Sequence, residues 1–517
     1  MKKNFRITAM LLSAVMSVTA LSACGGSGEK AETQDTDKIT WWLGLDGNVS
    51  QTASNLGDTP FAKKLMEATD TQIEFIHPAV GQETEKFNLL MAQSELPDIV
   101  QYAWTVNYPG GPEKALNDGI IQEIDLEKDA PNLAAYIKEH PELGKDIKTD
   151  SGKYFGFPFI RGDQMLLTSA GPILRQDWLD ELNLQVPETI DEWTEVLRAF
   201  KEKKGASAPL SMNTSGISWG TFIGAYGVYD GLFVQDGKIV YGPAEDSYKD
   251  FLVQMNKWYE EGLLDPNYVN LDGATVQSNI LNGVSGATFG SCGSGIGKWM
   301  AAATEEGYDL VGAKYPVLNK GEQPQFGSYE FPVTGQAIAV ITRDCKDVAK
   351  AVKLLDYAYS EEGHMLYNFG IEGESYTDVD GYPTYTEKIT SNPDGLSMTA
   401  SLAQYALSCG KGPFVQDKRY MEQYASLPQQ QSALTSWMDT NMKNHRIPNI
   451  NLPVEKQSEI ATTVENINTY KSEMQAKFIM GVEPISKFED YKKQLTERGL
   501  DKYITYYQEA YDSYMSR

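Results

Sequence analysis

The sequence predicts an α/β protein, because short strands and amphipathic helices alternate along its first part. The segments 39–43, 72–76 and 98–102 are short, rich in β-branched and aromatic residues, and bounded by polar residues, as strands are. A helical pattern of apolar residues around Phe61 and Leu65 separates the first two. Strands that alternate with helices predict a parallel sheet with crossover helices. With 517 residues, the chain is long enough for two or three domains.

Later segments predict helices with defined ends. Thr189 or Asp191 can cap a helix that ends before Gly205, because apolar residues recur between them at spacings of three and four. The segments 251–261 and 346–359 show the same pattern. The carboxyl-terminal part shows three further apolar stripes, the last rich in tyrosine, and we assign them to packing.

The amino terminus predicts a lipoprotein signal peptide at 1–23. Three basic residues precede an apolar segment, 7–21, that is shorter than the roughly 20 residues a membrane-spanning helix needs. The sequence Leu-Ser-Ala-Cys that ends at Cys24 resembles the lipobox of bacterial lipoproteins, which implies cleavage before Cys24 and its lipidation. Residues 24–37 carry no large apolar side chain and predict a flexible linker. We therefore expect the protein on the extracellular face of the cell membrane, held by its lipid anchor alone.

Composition and charge argue against several classes of function. Because 71 acidic residues oppose 45 basic residues, the net charge is −26, which is unsuited to binding nucleic acid or an anionic membrane surface and, more weakly, a polyanionic ligand. Cys292, Cys345 and Cys409 lie far apart and predict neither a disulfide framework nor a zinc site, although one disulfide is left open. The four histidines are scattered, so no histidine metal site is expected.

The sequence carries neither a phosphate-loop motif nor a zinc-protease motif. It contains no Gly-Lys followed by Ser or Thr and no His-Glu-x-x-His. The glycine-rich run 290–297 follows a predicted strand, where it can either present backbone amides to a ligand or simply allow a tight turn. A glycoside hydrolase needs only two carboxylates, and 71 acidic residues offer too many pairs to single one out. We expect no enzyme and no cofactor.

Five segments, in order, resemble the extracellular solute-binding lipoproteins of carbohydrate ABC importers. They are the strand at 38–43, LMAQSELPDIV at 90–100, GKYFGFP at 152–158, ILRQDWL at 173–179 and PETIDEW at 187–193. The ending of the chain looks like the long-chain branch of this family that is common in Gram-positive bacteria. The resemblance implies a two-lobed periplasmic-binding-protein-like fold of type II, in which each lobe is a sheet flanked by helices.

The resemblance also implies a hinge of about three crossovers between the lobes. We place the crossovers near 162–169, 329–335 and 391–396, where regular patterns break. The lobes then comprise 38–165 with 332–395 for the first, and 166–331 with 396–517 for the second. A ligand between the lobes would draw them together, so binding residues should come from both.

The function that the resemblance implies is capture of a sugar or oligosaccharide and its delivery to the permease subunits of an ABC transporter, by a monomer. A binding protein for a peptide or another polar solute, a secreted glycoside hydrolase and an adhesive lipoprotein are the alternatives. Some relatives bind calcium in a loop that corresponds here to 203–209, but this loop offers no carboxylate. We expect no metal there.

Sugar sites combine flat aromatic side chains with planar polar groups, and the first lobe offers both near its strand ends. The candidates there are Trp42, Asp46, Asn48, Tyr102, Trp104, Asn107, Arg161 and Asp163. Trp41 and Trp42 point to opposite faces of their strand, so one of them belongs to the core, and we favour Trp42 for the ligand. Arg161 and Asp163 can instead pair with each other at the hinge.

The second lobe offers a similar set in irregular segments. The candidates there are Asn213, Trp219, Tyr226, Ser291, Tyr329 and Glu330. Four further tryptophans fall in helical patterns, and we assign them to packing: Trp178, Trp193, Trp258 and Trp437. Together the two sets predict an uncharged, hydroxyl-rich ligand between aromatic side chains.

Overall fold

The computed structural model describes residues 38–450 and 452–516. The predicted signal peptide and the whole linker 24–37, with Cys24, lie outside the described residues, as does the last residue of the chain. None of the helices in the described ranges combines the length and apolar character that crossing a membrane requires.

Fourteen strands occur in the described part of the chain, most of them short. They are β1 (Lys38–Leu43), β2 (Gln72–Ile76), β3 (Ile99–Tyr102), β4 (Phe157–Arg161), β5 (Ala170–Arg175), β6 (Leu210–Ser211), β7 (Leu232–Gln235), β8 (Lys238–Tyr241), β9 (Ala287–Ser291), β10 (Leu310–Gly312), β11 (Val333–Ile341), β12 (Tyr376–Val379), β13 (Tyr382–Tyr385) and β14 (Val415–Gln416).

Helices cover the faces of the sheets and make up the end of the chain. They are α1 (Pro60–Thr69), α2 (Glu83–Met91), α3 (Trp104–Asn107), α4 (Gly111–Asn117), α5 (Leu126–Asp129), α6 (Pro131–Glu139), α7 (Gln176–Leu182), α8 (Ile190–Lys204), α9 (Thr214–Ser218), α10 (Asp246–Glu260), α11 (Gly273–Leu281), α12 (Lys298–Ala302), α13 (Val348–Tyr357), α14 (Glu361–Phe369), α15 (Glu387–Thr390), α16 (Met398–Leu402), α17 (Lys418–Tyr424), α18 (Pro428–Met438), α19 (Val454–Ile479), α20 (Phe488–Glu497) and α21 (Leu500–Met515).

The first lobe is built on a six-stranded sheet of order β14-β4-β11-β3-β1-β2. Strands β1 and β3 are parallel, with Trp41 opposite Ile99, and β14 is parallel to β4. Strand β11 runs antiparallel between β3 and β4, with Val333 opposite Ile160. The carboxyl ends of β1, β3, β4 and β14 therefore meet at one edge of the sheet, where β11 begins.

The second lobe is built on a four-stranded sheet of order β10-β5-β9-β6. Strand β5 is antiparallel to β9 and β10, whereas β6 and β9 are parallel. Its helices α8, α10, α19 and α20 contribute to one large hydrophobic cluster. Thr189 caps α8, and the carboxylate of Glu192 accepts a hydrogen bond from the backbone N–H of Thr189. The four tryptophans assigned to packing are all buried, which confirms that assignment.

The chain passes between the two sheets along neighbouring connections. The first, at 162–169, joins β4 to β5, and the second joins β10 to β11. These two connections are hydrogen-bonded to each other, because the backbone N–H of Glu330 donates to the carbonyl of Leu167 at 2.7 Å. The chain therefore passes from one sheet to the other along two connections that lie side by side.

The third expected crossover, at 391–396, is wrong. Strand β14, far beyond it, still pairs with β4 in the first sheet, with Val415 opposite Ile160. Helix α18 is the next element that packs on the second sheet, against β10 and β5. The third connection therefore runs through 417–427, between the end of β14 and the start of α18. The expected second-lobe segment, 396–517, begins about twenty residues too early. A strand of two residues is too short to show an alternating pattern in the sequence.

Candidate functional site

The carboxyl edge of the first sheet gathers several of the predicted residues. Asp46 and Asn48 follow β1, Tyr102 ends β3, Arg161 ends β4, and Asp163 opens the first connection. The connection then leads to Ala170 at the start of β5. Open α/β sheets bind their ligands outside the carboxyl ends of their parallel strands, so this edge is the first half of the candidate site.

The carboxyl ends of β6 and β9 form the second half. Asn213 follows β6, and its side chain accepts a hydrogen bond from the backbone N–H of Gly216 at 3.2 Å. Trp219 is 38% exposed and packs on Phe289, with 6.0 Å between the ring centroids. Ser291 ends β9 opposite Ala170, so the first connection joins the two edges directly.

Arg161 anchors the hinge side of the site. Its guanidinium donates to the carbonyl of Phe331 at 2.8 Å and to the carboxylate of Glu330 at 3.3 Å. Asp163 does not pair with Arg161, since it accepts a hydrogen bond from the backbone of Met165 and lies 3.9 Å from the ammonium of Lys418. The structure thus brings together Arg161 and Glu330, two predicted residues from different crossovers.

Arg446 lies beside this pair. Its guanidinium lies over the ring of Phe331, 3.8 Å from the centroid. Burial lowers the pKa of Arg446, and the nearby Tyr229, Glu330 and Tyr329 act in the opposite direction. Burial also lowers the pKa of Arg161, which Glu330 opposes and the charge of Arg446 lowers further.

Lys411 completes the group from the segment before β14. Its ammonium group donates to the side-chain oxygen of Gln336 in β11. Partial burial lowers the pKa of Lys411, and the charge of Arg161 lowers it further, while Glu330 and Asp46 oppose both effects. We call Asp46, Arg161, Glu330, Lys411 and Arg446 the charged cluster.

Trp42 and Trp104 were expected at the site, and the structure corrects both. Trp42 is 4% exposed and Trp104 is fully buried. They belong to the same hydrophobic cluster around Phe87, and the indole N–H of Trp104 donates to the carbonyl of Val100 at 3.1 Å. Helices cover both faces of this sheet, so Trp41 and Trp42 are both buried although they point opposite ways.

Tyr226 and Asn107 also fall outside the two edges. Tyr226 packs on Phe251 of α10, with 6.1 Å between ring centroids, and burial raises its pKa. Asn107 ends α3 and donates to the carbonyl of Ala103 at 3.2 Å. In the described part of the chain, neither side chain contacts the charged cluster.

Sequence reasoning missed Phe331, Gln336, Lys411 and Arg446. Phe331 stands next to the predicted Tyr329 and Glu330, so the same argument could have included it. Arg446 lies in an irregular segment, like Arg161, and could have been nominated on that ground. Lys411 and Gln336 carried no signal, because only the pairing of β14 and β11 with β4 brings their segments together.

The described residues hold no group of three or more His, Cys, Asp or Glu side chains arranged to bind a metal ion. The three cysteines in the described part of the chain are free thiols, so the disulfide that the sequence left open is not formed.

Comparison with known proteins identifies the family. A model described as "Bacterial extracellular solute-binding protein" matches residues 53–365, more than half of the chain. The chain belongs to this family. Lipoprotein LipO of Bacillus subtilis is 26% identical over 432 residues, which cover 78% of this chain and 80% of LipO.

Other similarities extend over almost the whole length. The fructooligosaccharide ABC transporter substrate-binding protein FusA of Streptococcus pneumoniae is 24% identical, covering 99% of each chain. A solved HMO-binding, ABC-transporter-associated solute-binding protein from Bifidobacterium longum infantis is 18% identical, with a TM-score of 0.73, over 92% of this chain and 98% of its own. The fold is thus that of the two-domain solute-binding proteins, and the family and these relatives are binding proteins rather than enzymes.

Proposed function

We propose that this protein captures a sugar or oligosaccharide outside the cell and delivers it to the permease subunits of an ABC importer, without chemical change to the ligand. The observation that carries the proposal is the pair of sheet edges that the first connection joins, one with the exposed indole of Trp219 and one with the charged cluster. A half-exposed aromatic face beside convergent polar groups suits a ring that has apolar C–H faces and hydroxyl edges. Family membership and the likeness to FusA, which is named for fructooligosaccharides, support it.

The proposed ligand contacts come from both lobes. We assign them to Asp46, Asn48, Tyr102, Arg161, Asp163, Trp219, Ser291, Tyr329 and Glu330, with Asn213 as a support for the turn that carries Trp219. A ligand that touches both lobes favours the closed arrangement, because contacts present in only one arrangement shift the equilibrium toward it.

We further propose that residues 1–23 are removed, that Cys24 carries the lipid anchor and that 24–37 is a flexible tether for a monomeric binding domain. A Cys24→Ala variant should appear in the culture medium, whereas the unchanged protein should stay with the membrane fraction. Retention of the variant at the membrane would contradict lipid anchoring at Cys24.

Calorimetric titration against a panel of oligosaccharides and peptides tests the binding function. We expect at least one oligosaccharide to bind and to be recovered uncut. The Trp219→Ala variant should weaken that binding about tenfold or more, as loss of a central aromatic contact does. Leu318, which is 44% exposed in the same lobe, supplies the control variant Leu318→Ala, which should bind as the unchanged protein does.

Binding of peptides alone would contradict the proposal in favour of a peptide-binding protein. Release of new reducing ends from the bound oligosaccharide would contradict it in favour of a glycoside hydrolase.

A further inference from the structure

We propose that the captured saccharide carries a carboxylate, which the charged cluster binds through Arg446, with Arg161 and Lys411 beside it. The inference rests on the proposed function and names the substrate class of the same site. It departs from the uncharged ligand that the sequence predicts.

The charged cluster has an excess of positive charge. Its three cations, Arg161, Lys411 and Arg446, come from three separate segments, and its carboxylates are Glu330 and Asp46. This local excess stands out in a chain whose net charge is −26. Partly buried cations that lie close together repel one another, and their burial costs free energy unless an anion pairs with them. One additional negative charge would balance the group.

The guanidinium of Arg446 has unused hydrogen-bond donors that can bind that anion. Among the described residues, no carboxylate lies within 4.0 Å of its guanidinium and no acceptor receives a hydrogen bond from its side chain. Other arginines of this chain are satisfied differently: Arg175, Arg198 and Arg419 each contact a carboxylate at 2.5, 2.7 and 2.6 Å. The cation of Arg446 therefore differs from them in lacking a counter-ion.

The other two cations are also only partly neutralised. Arg161 contacts Glu330 through one nitrogen at 3.3 Å, which is a weaker arrangement than a bidentate pair. Lys411 donates to an amide oxygen, that of Gln336, and not to a carboxylate. The single carboxylate of Glu330 is thus shared among neighbours, and it does not compensate Arg446 by direct contact.

The geometry suits a carboxylate on a sugar ring. The ring of Phe331 lies against the Arg446 guanidinium, whose N–H groups make no hydrogen bond within the described residues, and the planar N–H fork of a guanidinium matches the two oxygens of a carboxylate. Aromatic groups nearby, Tyr229 and Tyr329, provide apolar surface for the sugar itself. A phosphorylated sugar would use the same donors, but it places a charge near −2 on one group, more than the single excess positive charge of the cluster, whereas each uronate ring carries one negative charge.

Calorimetric titration of the purified protein with trigalacturonate and with its carboxyl-reduced trisaccharide tests the inference. The two probes differ only in the carboxylates. We expect trigalacturonate to bind at least about tenfold more tightly, as one charge-assisted hydrogen-bonded pair provides, and its affinity to fall as sodium chloride is raised. Galactose 6-phosphate, the phosphate probe, should bind more weakly than galacturonate.

Variants assign the effect to Arg446. Arg446→Gln should lower the affinity for trigalacturonate about 10- to 100-fold and lower that for the reduced trisaccharide much less. Arg446→Lys keeps the charge and should retain part of the preference. Arg498 is the matched control, since its guanidinium also lies over an aromatic ring, that of Tyr470, at 3.9 Å. Arg498→Gln should keep the full preference.

The outcomes separate the two proposals. Equal or tighter binding of the reduced trisaccharide, or of other neutral oligosaccharides alone, would overturn the carboxylate inference and leave the saccharide function intact. Tighter binding of the phosphate probe would also overturn it. If no saccharide of any charge binds, the proposed function itself fails. The comparison of the two trisaccharides needs no variant, so it decides the question even if Arg446→Gln does not fold.

Discussion

His77 is a half-buried histidine that connects two segments next to the candidate site. The backbone N–H of Leu56 donates to its Nε2 at 3.1 Å, so Nδ1 carries the ring proton and donates to the carbonyl of Leu43 at 2.9 Å. A second proton on the ring would place an N–H group at Nε2 against the backbone N–H of Leu56. Burial lowers the pKa of His77, and the hydrogen bond to Leu43 opposes this in part.

The neutral form of His77 should make stability depend on pH. Because its pKa in the folded protein lies below the ordinary value of 6.5, the unfolded chain binds the proton first as pH falls. The free energy of unfolding should therefore be highest above about pH 6.5 and decrease below it, until the lower folded pKa is reached. Urea unfolding at pH 7.5 and pH 5.5 measures the difference.

Variants of two histidines distinguish this effect from general acid sensitivity. His77→Gln should be less stable at pH 7.5 and should lose less stability than the unchanged protein on going to pH 5.5. The side chain of His140 is 40% exposed, so His140→Gln should show the same decrease as the unchanged protein. An unchanged decrease in His77→Gln would contradict the assignment.

Trp104 contributes to stability and not to binding, in contrast to Trp219. Trp104→Ala removes a fully buried side chain from the first-lobe core, and we expect the free energy of unfolding to fall by about 3–5 kcal/mol. The affinity of the remaining folded protein for its saccharide should not change. Urea unfolding and calorimetry on the same sample measure both. Loss of affinity with unchanged stability would contradict this and assign Trp104 to the ligand site.

At the scale of elements, the glycine-rich run forms a tight turn against the third connection. It makes a π-helical turn at Cys292–Gly297 after β9, and the side chain of Gln430 in α18 donates to the carbonyl of Cys292 at 3.0 Å. A Cβ on Gly293 would lie 2.0 Å from the hydroxyl of Tyr424 in α17. Glycine is required here for close packing, which favours the tight-turn interpretation of this run.

Gly293→Ala should therefore disturb the third connection. Overpacking of this kind costs about 1–3 kcal/mol, because Tyr424 must move. We expect a lower melting temperature and weaker saccharide binding, since α17 belongs to the connection between the lobes. Gly273 begins α11 and has no atom within 4 Å of its Cβ position, so Gly273→Ala should match or slightly exceed the stability of the unchanged protein. Equal melting temperatures for all three proteins would contradict the packing argument.

At the scale of the whole molecule, the last helix connects the two lobes far from the crossovers. The hydroxyl of Tyr514 in α21 donates to the carboxylate of Asp146 at 2.8 Å, and Lys145 donates to the carbonyl of Met515 at 3.1 Å. Asp146 follows a turn that packs in the first-lobe core, whereas α21 packs on β8 of the second lobe. The carboxyl-terminal helix therefore holds the lobes in the arrangement observed.

Tyr514→Phe should loosen that arrangement. One hydrogen bond contributes about 0.5–1.5 kcal/mol, so the affinity for saccharide should fall roughly 2- to 12-fold if the observed arrangement is the binding-competent one. Small-angle scattering should show a larger radius of gyration for the ligand-free variant. Tyr511→Phe, on the same helix, is the control and should behave like the unchanged protein. Identical scattering and affinity for all three would contradict a role for this contact.

Local patterns in the sequence predicted most elements that have regular spacing. Helix α8 and its Thr189 cap, and the strands at 39–43 and 72–76, follow from alternation, helical periodicity and capping residues within a few positions of each other. The third crossover could not be predicted in the same way, because β14 has two residues and is defined only by its pairing with β4.

The sequence by itself determined the order of strands and helices, the family and the edges at which a ligand site must lie, because these depend on neighbouring residues and on strand direction. Only the tertiary structure decided which side chains reach those edges. Helices on both faces of the first sheet bury Trp42 and Trp104, and the pairing of distant segments brings Arg161, Lys411 and Arg446 together. Burial and charge at a site depend on all the segments packed around it, which no single stretch of sequence contains.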